Sequence, residues 1–115
     1  MSTIIYKICP AALWREAERA KIFRGSPADT QDGYIHLSAA GQVESTLAKH
    51  FAGQRDLLLI AVDAEALGTA LKWEKARGGA LFPHLYGALP LAAVQSVTPI
   101  VSGADHADGV PEPAA

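Results

Sequence analysis

The side chains best suited to chemistry lie in two short segments, GYIHLS and FPHLYG. Each contains a histidine and a tyrosine two residues apart, although aromatic residues make up only 7% of the chain. Side chains alternate between the faces of a β-strand, so Tyr34 and His36 share a face in the first segment. His84 and Tyr86 share a face in the second for the same reason. Imidazole and phenol groups can hydrogen-bond ligand hydroxyls and stack on a flat ring, so we expect the two segments to line one polar pocket.

The first segment also contains apolar residues and a hydroxyl. Ile35 and Leu37 are expected to enter the core, whereas Ser38 continues the row of polar side chains on the other face. Ser38 lacks the G-x-S-x-G context of an activated nucleophile. A serine at this position suits the N-terminus of a helix, so we expect Ser38 to cap the helix that begins near Ala39.

A third candidate is Glu74, which ends the segment LKWE. Alternation predicts that Leu71 and Trp73 point inward. Lys72 and Glu74 then lie on the other face. A carboxylate at a strand end beside a cleft can act as a general base or stabilise a developing cation. The alternative is a solvated glutamate that pairs with Lys72 or Lys75.

The sequence does not favour several other kinds of site. Cys9 is the only cysteine, so no intramolecular disulfide can form, and we expect a small buried hydrophobe. His36, His50 and His84 lack the local spacing of a zinc site, so no metal is expected. A net charge of −2 and a pI near 6.0 predict no basic face for nucleic acid. With no apolar run of membrane-spanning length and no signal-peptide pattern, the protein is expected to be cytoplasmic and not membrane-bound.

The elements that position these residues follow from length and patterning. A chain of 115 residues, half of them hydrophobic, predicts one domain over residues 1–102 and a disordered tail over 103–115. Strands outnumber helices and do not alternate with them regularly, which favours an α+β fold with mixed or antiparallel sheets. The predicted strands cover 3–8, 34–38, 56–62, 70–74 and 94–101, and the predicted helices cover 11–21 and 42–51.

Three of these segments carry more detailed predictions. In the first helix, Leu13, Ala17 and Ala20 are predicted to form the apolar stripe. Residues 24–33 are dense in Gly, Ser, Pro and Asp, which predicts a loop. A loop of this length in a small domain is often functional. The continuous apolar run over 56–62 predicts a central strand that is covered on both faces.

Taken together, the segments resemble a known family. The matching features are IYKI, W-x-x-A in the first helix, DGYIHLS with a following helix, LLLIAVD, W-E and FPHLYGALPLAAV. They look like the small bacterial proteins of domain-of-unknown-function family 952, over about residues 4–97. That family is similar in fold to the ADP-ribosyltransferases. The resemblance implies a compact α+β domain in which two small sheets, with a few helices packed against them, meet at an NAD-binding cleft.

The resemblance also implies roles for individual side chains. His36 is similar to the first-strand histidine of the transferase pattern, which contacts the ribose of NAD. Tyr34 or Tyr86 would supply the aromatic wall beside nicotinamide. His84 and Glu74 are alternative candidates for the third catalytic position.

Lys7 stands where many members of the family have a histidine. Lys7 either replaces that histidine with a cation or indicates that part of the site has been lost. Lys7 and Ser38 are also expected to contact the ligand. The implied function is an NAD-dependent ADP-ribosyl transfer at the nicotinamide–ribose bond, with an unknown acceptor. The alternatives are a non-catalytic module that binds a nucleotide or sugar phosphate, and an interaction protein such as a homodimer formed through an exposed sheet edge.

Overall fold

The computed structural model describes residues 3–100 of the chain, apart from the side chain of Arg77. The domain boundary predicted at residue 102 and the tail predicted over 103–115 lie outside these residues. In chain order the strands and α-helices are β1 (Ile4–Pro10), α1 (Ala11–Ala20), β2 (Ile22–Phe23), α2 (Pro27–Asp32), β3 (Ile35–His36), β4 (Ser38–Ala39), α3 (Val43–His50), β5 (Leu57–Asp63), β6 (Leu71–Lys75), β7 (Leu81–Leu85), β8 (Leu89–Pro90) and β9 (Val94–Ile100).

The larger sheet has the strand order β4-β1-β5-β9, and its neighbours are all antiparallel. β5 lies inside this sheet and is covered on both faces, as its apolar run predicted. On one face, Ile60 and Val62 pack in a cluster that includes Trp14. On the other face, Leu59 packs in a second cluster with Leu47. The sheet therefore separates two cores, with α1 over one and α3 over the other.

A three-stranded sheet with the order β3-β7-β6 and a two-stranded pair of β2 with β8 complete the fold. The described residues therefore form three antiparallel sheets, where two were expected. The chain passes from one sheet to the other at Leu37, whose N–H donates to the carbonyl of Pro83 over 3.0 Å. β3 before it pairs with β7, and β4 after it pairs with β1. This crossing brings His36 close to β1.

The prediction of a loop over residues 24–33 is wrong, because these residues contain α2. Ser26 caps this helix: its Oγ accepts a hydrogen bond of 3.2 Å from the N–H of Asp29. The Asp29 carboxylate in turn accepts a hydrogen bond of 2.8 Å from the N–H of Ser26. Together with Pro27 at the first helical position, this capping box starts a helix in a segment whose composition predicts a loop.

The predicted apolar stripe of α1 is only partly correct. The helix buries Ala11, Trp14 and Ala17, whereas Ala20 is exposed. Trp14 has the largest side chain on the helix, and its burial sets which face turns to the core. No helix within residues 3–100 is long and apolar enough to cross a membrane.

The prediction that Trp73 points inward is also wrong. β6 ends its sheet and pairs only with β7 among the described strands. At this edge position, 42% of Trp73 stays exposed. Alternation sets which face of a strand a side chain takes, but at an edge strand it does not ensure that the side chain is covered.

Candidate functional site

A cavity of about 440 Å³ opens where β1 loses its neighbour. β4 pairs with β1 only at Ile5 and Tyr6, so from Lys7 to Pro10 no strand within residues 3–100 adjoins this edge. The volume lies within the range of small-molecule sites, roughly 300–1,000 Å³. Apolar and polar side chains share the wall, and the charged or polar groups in it include Lys7, Asp29, Asp32, His36, Ser38 and His84.

The carboxylate of Asp29 organises the inner wall of the cavity. The side chain is 2% exposed, and one of its oxygens lies 2.8 Å from Nζ of Lys7. The other oxygen accepts hydrogen bonds from the backbone N–H of His36 (3.0 Å) and from its Nδ1 (2.7 Å). Burial alone would raise the pKa of Asp29, but these hydrogen bonds and the charge of Lys7 hold that pKa well below its ordinary value. Asp29 is therefore ionised.

Lys7 enters the site as the partner of this carboxylate. Only 5% of the residue is exposed, and its Nζ donates to the carbonyl of His36 (3.0 Å) as well as to Asp29. These bonds tie β1 to α2 and β3. The ammonium is thus already engaged by the protein, although Lys7 lines the cavity as predicted for a ligand-contacting residue.

The imidazole of His36 lies between two carboxylates. Nδ1 donates to Asp29, and Nε2 lies 2.9 Å from Oδ2 of Asp32. In the imidazolium form both ring nitrogens are donors, so that form satisfies both carboxylates. The side chain of Asp32 is 49% exposed, so a ligand hydroxyl can take its place at Nε2. His36 is thereby arranged as a hydrogen-bond donor toward a ligand.

His84 faces His36 directly across the β3–β7 pair. Because Leu37 and Pro83 share a backbone hydrogen bond, the histidines form the adjacent non-hydrogen-bonded pair, in which side chains approach most closely. Their ring centroids are 5.7 Å apart. His84 is 4% exposed and lines the cavity. The register of two short strands therefore sets the distance between the two imidazoles.

Glu74, on the neighbouring strand, supports His84, and Tyr86, directly after β7, supports Glu74. Oε1 of Glu74 lies 2.8 Å from Nδ1 of His84 and accepts a 2.7 Å hydrogen bond from the phenol of Tyr86. These bonds lower the pKa of Glu74, and the hydrogen bond to Glu74 raises the pKa of Tyr86 to about 12. With Nδ1–H directed at Glu74, Nε2 of the neutral ring is an acceptor, and no described residue bonds to it. Glu74 therefore bonds to His84 and Tyr86, whereas Lys72 or Lys75 was the alternative partner considered from the sequence.

The rings of Tyr34, His36, His84 and Tyr86 form a continuous group, called here the aromatic cluster. Tyr34 lies at its centre and stacks on His84 with 4.1 Å between centroids. It lies 4.6 Å from the ring of His36 and 5.2 Å from that of Tyr86. The two histidines also line the cavity, whereas the two tyrosines and Glu74 lie outside its wall. The cavity and the aromatic cluster thus meet at His36 and His84.

Ser38 departs from both of its predictions. Its hydroxyl is buried and lies 2.9 Å from Oγ1 of Thr46. The turn that follows is closed instead by Gln42, whose Oε1 accepts a hydrogen bond from the N–H of Ala39. Because the chain changes sheets after His36, the alternation that would extend the polar row to Ser38 is interrupted. Ser38 nevertheless lines the cavity.

Sequence reasoning missed Asp29 and Asp32. The signal for Asp29 was present: a serine followed three residues later by an acidic residue, with proline between them, predicts a helix N-terminus. That pattern would have predicted α2, on which the two aspartates lie about one turn apart and both reach His36. The bonds of Asp29 to Lys7 and His36 join residues far apart in sequence and have no local signal.

The site can move a proton and stabilise positive charge. Nε2 of His84 has no hydrogen-bond partner among the described groups and is backed by Glu74, and the half-exposed Asp32 adds negative charge at the cavity wall. No group of three His, Cys, Asp or Glu side chains within residues 3–100 is arranged to hold a metal ion. Cys9 is fully buried as predicted, and burial raises the pKa of its thiol to about 11, which disfavours a thiolate nucleophile.

Comparison with known proteins gives matches of high coverage. Residues 8–97 match the family model described as "Protein of unknown function (DUF952)". The crystal structure of protein CC0527 from Caulobacter crescentus is 50% identical and superposes with a TM-score of 0.86, covering 95% of this chain and 93% of that chain. The solution NMR structure of CC0527 is 49% identical with a TM-score of 0.79, covering 95% and 91%. No curated protein matches the chain.

Proposed function

The chain belongs to the DUF952 family, whose description gives no activity, and from the site itself we propose that it binds NAD and cleaves the nicotinamide–ribose bond. The observation that carries this proposal is the facing pair of His36 and His84 at the cavity wall. Each ring is held at Nδ1 by a carboxylate, Asp29 for one and Glu74 for the other. The reacting bond would lie where the cavity meets the aromatic cluster.

The chemistry of this reaction suits the charges of the site. Breaking the bond resembles glycoside cleavage, because positive charge develops on the sugar. The half-exposed carboxylate of Asp32 at the cavity wall is positioned to stabilise that charge. His36 donates to a ribose hydroxyl in place of its bond to Asp32. Tyr86, 42% exposed in the aromatic cluster, offers a ring face to nicotinamide.

In the proposed steps, His84 accepts a proton and Glu74 holds His84 in position. The carbon–nitrogen bond breaks, and its electron pair passes to the ring nitrogen of nicotinamide, which becomes neutral. A hydroxyl of water or of an acceptor then bonds to the ribose carbon, and its proton passes to Nε2 of His84. Glu74 stabilises the resulting imidazolium through Nδ1. His84 is thus the catalytic residue in this scheme, and Glu74 is a positioning residue that acts through it.

We also propose that the protein is related in fold to the ADP-ribosyltransferases and that it is cytoplasmic. The resemblance to ADP-ribosyltransferases is supported by an antiparallel α+β architecture in which two sheets meet beside a cavity. A cytoplasmic location would give the protein access to NAD. The bacterial origin of the similar structure from Caulobacter crescentus fits a bacterial protein.

Incubation with NAD tests the activity by the release of nicotinamide. His84→Ala should reduce release by roughly 100-fold or more, because general acid–base catalysis contributes at least that factor. Glu74→Gln should reduce it by a smaller factor and shift the pH profile. Glu65→Gln, the same change at an exposed glutamate outside the site, should have no effect. Release that is unchanged in His84→Ala would show that the assigned site is wrong.

The second candidate is a module that binds a nucleotide or sugar phosphate without turnover. The internal bonding of the site favours it: Asp29 already neutralises Lys7, and His36 is held at both ring nitrogens. Calorimetry with ADP-ribose distinguishes the two candidates. Binding to the wild type and to His84→Ala with equal affinity, without nicotinamide release from NAD, would favour the binding module.

A further inference from the structure

The outer edge of β6 carries unpaired backbone groups. The N–H of Tyr86 donates to the carbonyl of Ala70 over 2.8 Å, one step beyond the paired residues Leu71 and Leu85. In an antiparallel strand, the backbone groups of alternate residues point to opposite sides. Even-numbered positions of β6 therefore bond to β7, and odd-numbered positions point away from it. Pro83, which has no N–H to donate, lies opposite an odd-numbered position, as this pattern requires.

Three positions thus present N–H and C=O groups outward: Leu71, Trp73 and Lys75. No described strand pairs with this side of β6, so the edge is open to another strand. Trp73, in the middle, is 42% exposed, and the nearby Leu81 is 51% exposed. Large apolar side chains beside an unpaired strand edge indicate a surface that is covered in an assembly.

The sequence of β6 is complementary to itself. Reversed about Trp73, the segment LKWEK places Lys72 opposite Glu74, and Glu74 opposite Lys72. Opposite charges that face each other across an antiparallel pair stabilise it, whereas like charges destabilise it. We propose that two copies of this chain pair through β6 in antiparallel orientation, with Trp73 on the two-fold axis. In such a pair, Lys72 of each copy faces Glu74 of the other, so the same contact forms twice, as two-fold symmetry requires.

The pairing completes the site that contains Glu74. Oε1 of Glu74 is occupied by His84 and Tyr86, whereas none of the side chains that the structure describes bonds to Oε2. The side chain of Glu74 is 39% exposed. With Trp73 facing its copy as a hydrogen-bonded pair, Lys72 of the partner subunit and Glu74 form the next, non-hydrogen-bonded pair. Their Cα atoms are then about 4.5 Å apart, and the ammonium reaches the open oxygen. Each copy thereby holds the carboxylate that positions His84 in the other.

The mass of the particle in solution tests the assembly. Sedimentation equilibrium should give twice the chain mass of 12.1 kDa. Trp73→Lys should give the monomer, because it sets two ammonium groups against each other on the axis. The matched control is Val97→Lys, which alters a residue 39% exposed on β9, the edge strand of the other sheet, and should leave the dimer intact. A monomeric wild type at all concentrations, or a dimer that survives Trp73→Lys, would overturn the proposal.

Exchanging the charges at Lys72 and Glu74 tests how the two β6 strands are aligned. Lys72→Glu leaves carboxylates at both positions 72 and 74, and Glu74→Lys leaves ammonium groups at both, so each variant alone should be monomeric. Mixed together, they should form a heterodimer, since each charge at positions 72 and 74 then faces its opposite. Circular dichroism establishes that each variant is folded. A mixture that stays monomeric, or a Lys72→Glu variant that dimerises alone, would rule out this register.

Hydrogen exchange gives an independent readout on the wild type. The amide of Trp73 points outward in the monomer and is bonded to the partner in the dimer. Its exchange should slow by at least about 10-fold as the protein concentration rises. The amide of Glu74, which bonds to β7 within one chain, should show little change over the same range. Equal behaviour of the two amides would contradict the pairing.

Discussion

The buried carboxylate of Asp29 connects three elements that are distant in sequence. It accepts bonds from Lys7 on β1, from the backbone of Ser26 at the start of α2 and from His36 on β3. Removing the charges of Lys7 and Asp29 from water costs energy that their attraction and hydrogen bonds must offset. The pair therefore adds little net stability while it is intact, but losing one partner leaves an uncompensated buried charge. The geometry of His36 depends on this carboxylate.

Asp29→Asn should lower the free energy of unfolding by about 3 kcal/mol, because it leaves the ammonium of Lys7 buried without a counter-charge. Urea denaturation measures this loss. Asp32→Asn is the matched control, since it removes the other aspartate bonded to His36. Asp32 is half exposed, so this change should cost less than about 1 kcal/mol.

Asp29→Asn should also differ from the wild type in how its free energy of unfolding depends on pH. The pKa of Asp29 in the folded state lies below its ordinary value of 3.8, so its stabilisation is present above that value and is lost as the pH falls. The stability of the wild type should therefore fall more steeply below about pH 4 than that of Asp29→Asn. Equal slopes would show that Asp29 is not held ionised by its partners.

The phenol of Tyr86 reports on Glu74. Its pKa is raised to about 12 from an ordinary value of 10.0, because the neutral phenol donates to an ionised carboxylate. Glu74→Gln should lower this pKa toward the ordinary value, as followed by phenolate absorbance in a difference titration against Tyr86→Phe. Glu65→Gln should leave it unchanged. A pKa of Tyr86 that stays high in Glu74→Gln would mean that another group binds the phenol.

At the scale of elements, α2 is the part of the fold that most directly shapes the site. With six residues it is too short to be stable alone and depends on its cap and its packing. Gly25, just before the cap, has a φ of +112°. A Cβ at this position would lie 2.9 Å from Cβ of Asp29. Only glycine permits the chain to turn into α2 so close to the carboxylate.

Gly25→Ala should therefore destabilise the protein by about 1–3 kcal/mol and displace Asp29, because it combines backbone strain with a steric contact. Thermal or urea unfolding measures the stability. NMR shifts of the His36 ring report on the position of the carboxylate. Gly41→Ala is the control: an added Cβ there meets no atom within 4 Å, and its effect should stay within about 0.5 kcal/mol. Equal stability of the two variants would remove the role assigned to Gly25.

At the scale of the whole molecule, the cavity and the outer edge of β6 meet at one residue. Glu74 supports His84 at the cavity wall and lies in the strand whose edge is proposed to pair. Formation of the dimer should therefore affect the release of nicotinamide. Because Lys72 of the partner subunit would act only through Glu74, a monomeric Trp73→Lys should keep ligand binding and change the pH dependence of release.

Several parts of this arrangement could be predicted from local patterns. The two histidine segments were expected to share a pocket, and His36 and His84 are directly paired. The apolar run of β5 predicted a strand buried on both faces. α2 was missed because the Gly, Ser, Pro and Asp content of residues 24–33 predicted a loop, whereas the helix depends on the reciprocal hydrogen bonds between Ser26 and Asp29. Composition averages over a segment, whereas a capping box depends on two positions.

The sequence by itself determined the alternation that turns Tyr34 with His36, and His84 with Tyr86, toward common faces, because side-chain direction in a strand has a period of two. It also determined the apolar strand at the centre of the sheet. Only the tertiary structure decided that Ser38 leaves the polar row and that Trp73 is exposed at an edge. Only the tertiary structure, too, decided that Lys7 meets Asp29. Sheet order and contacts between distant residues are set by how the whole chain packs, and no local period encodes them.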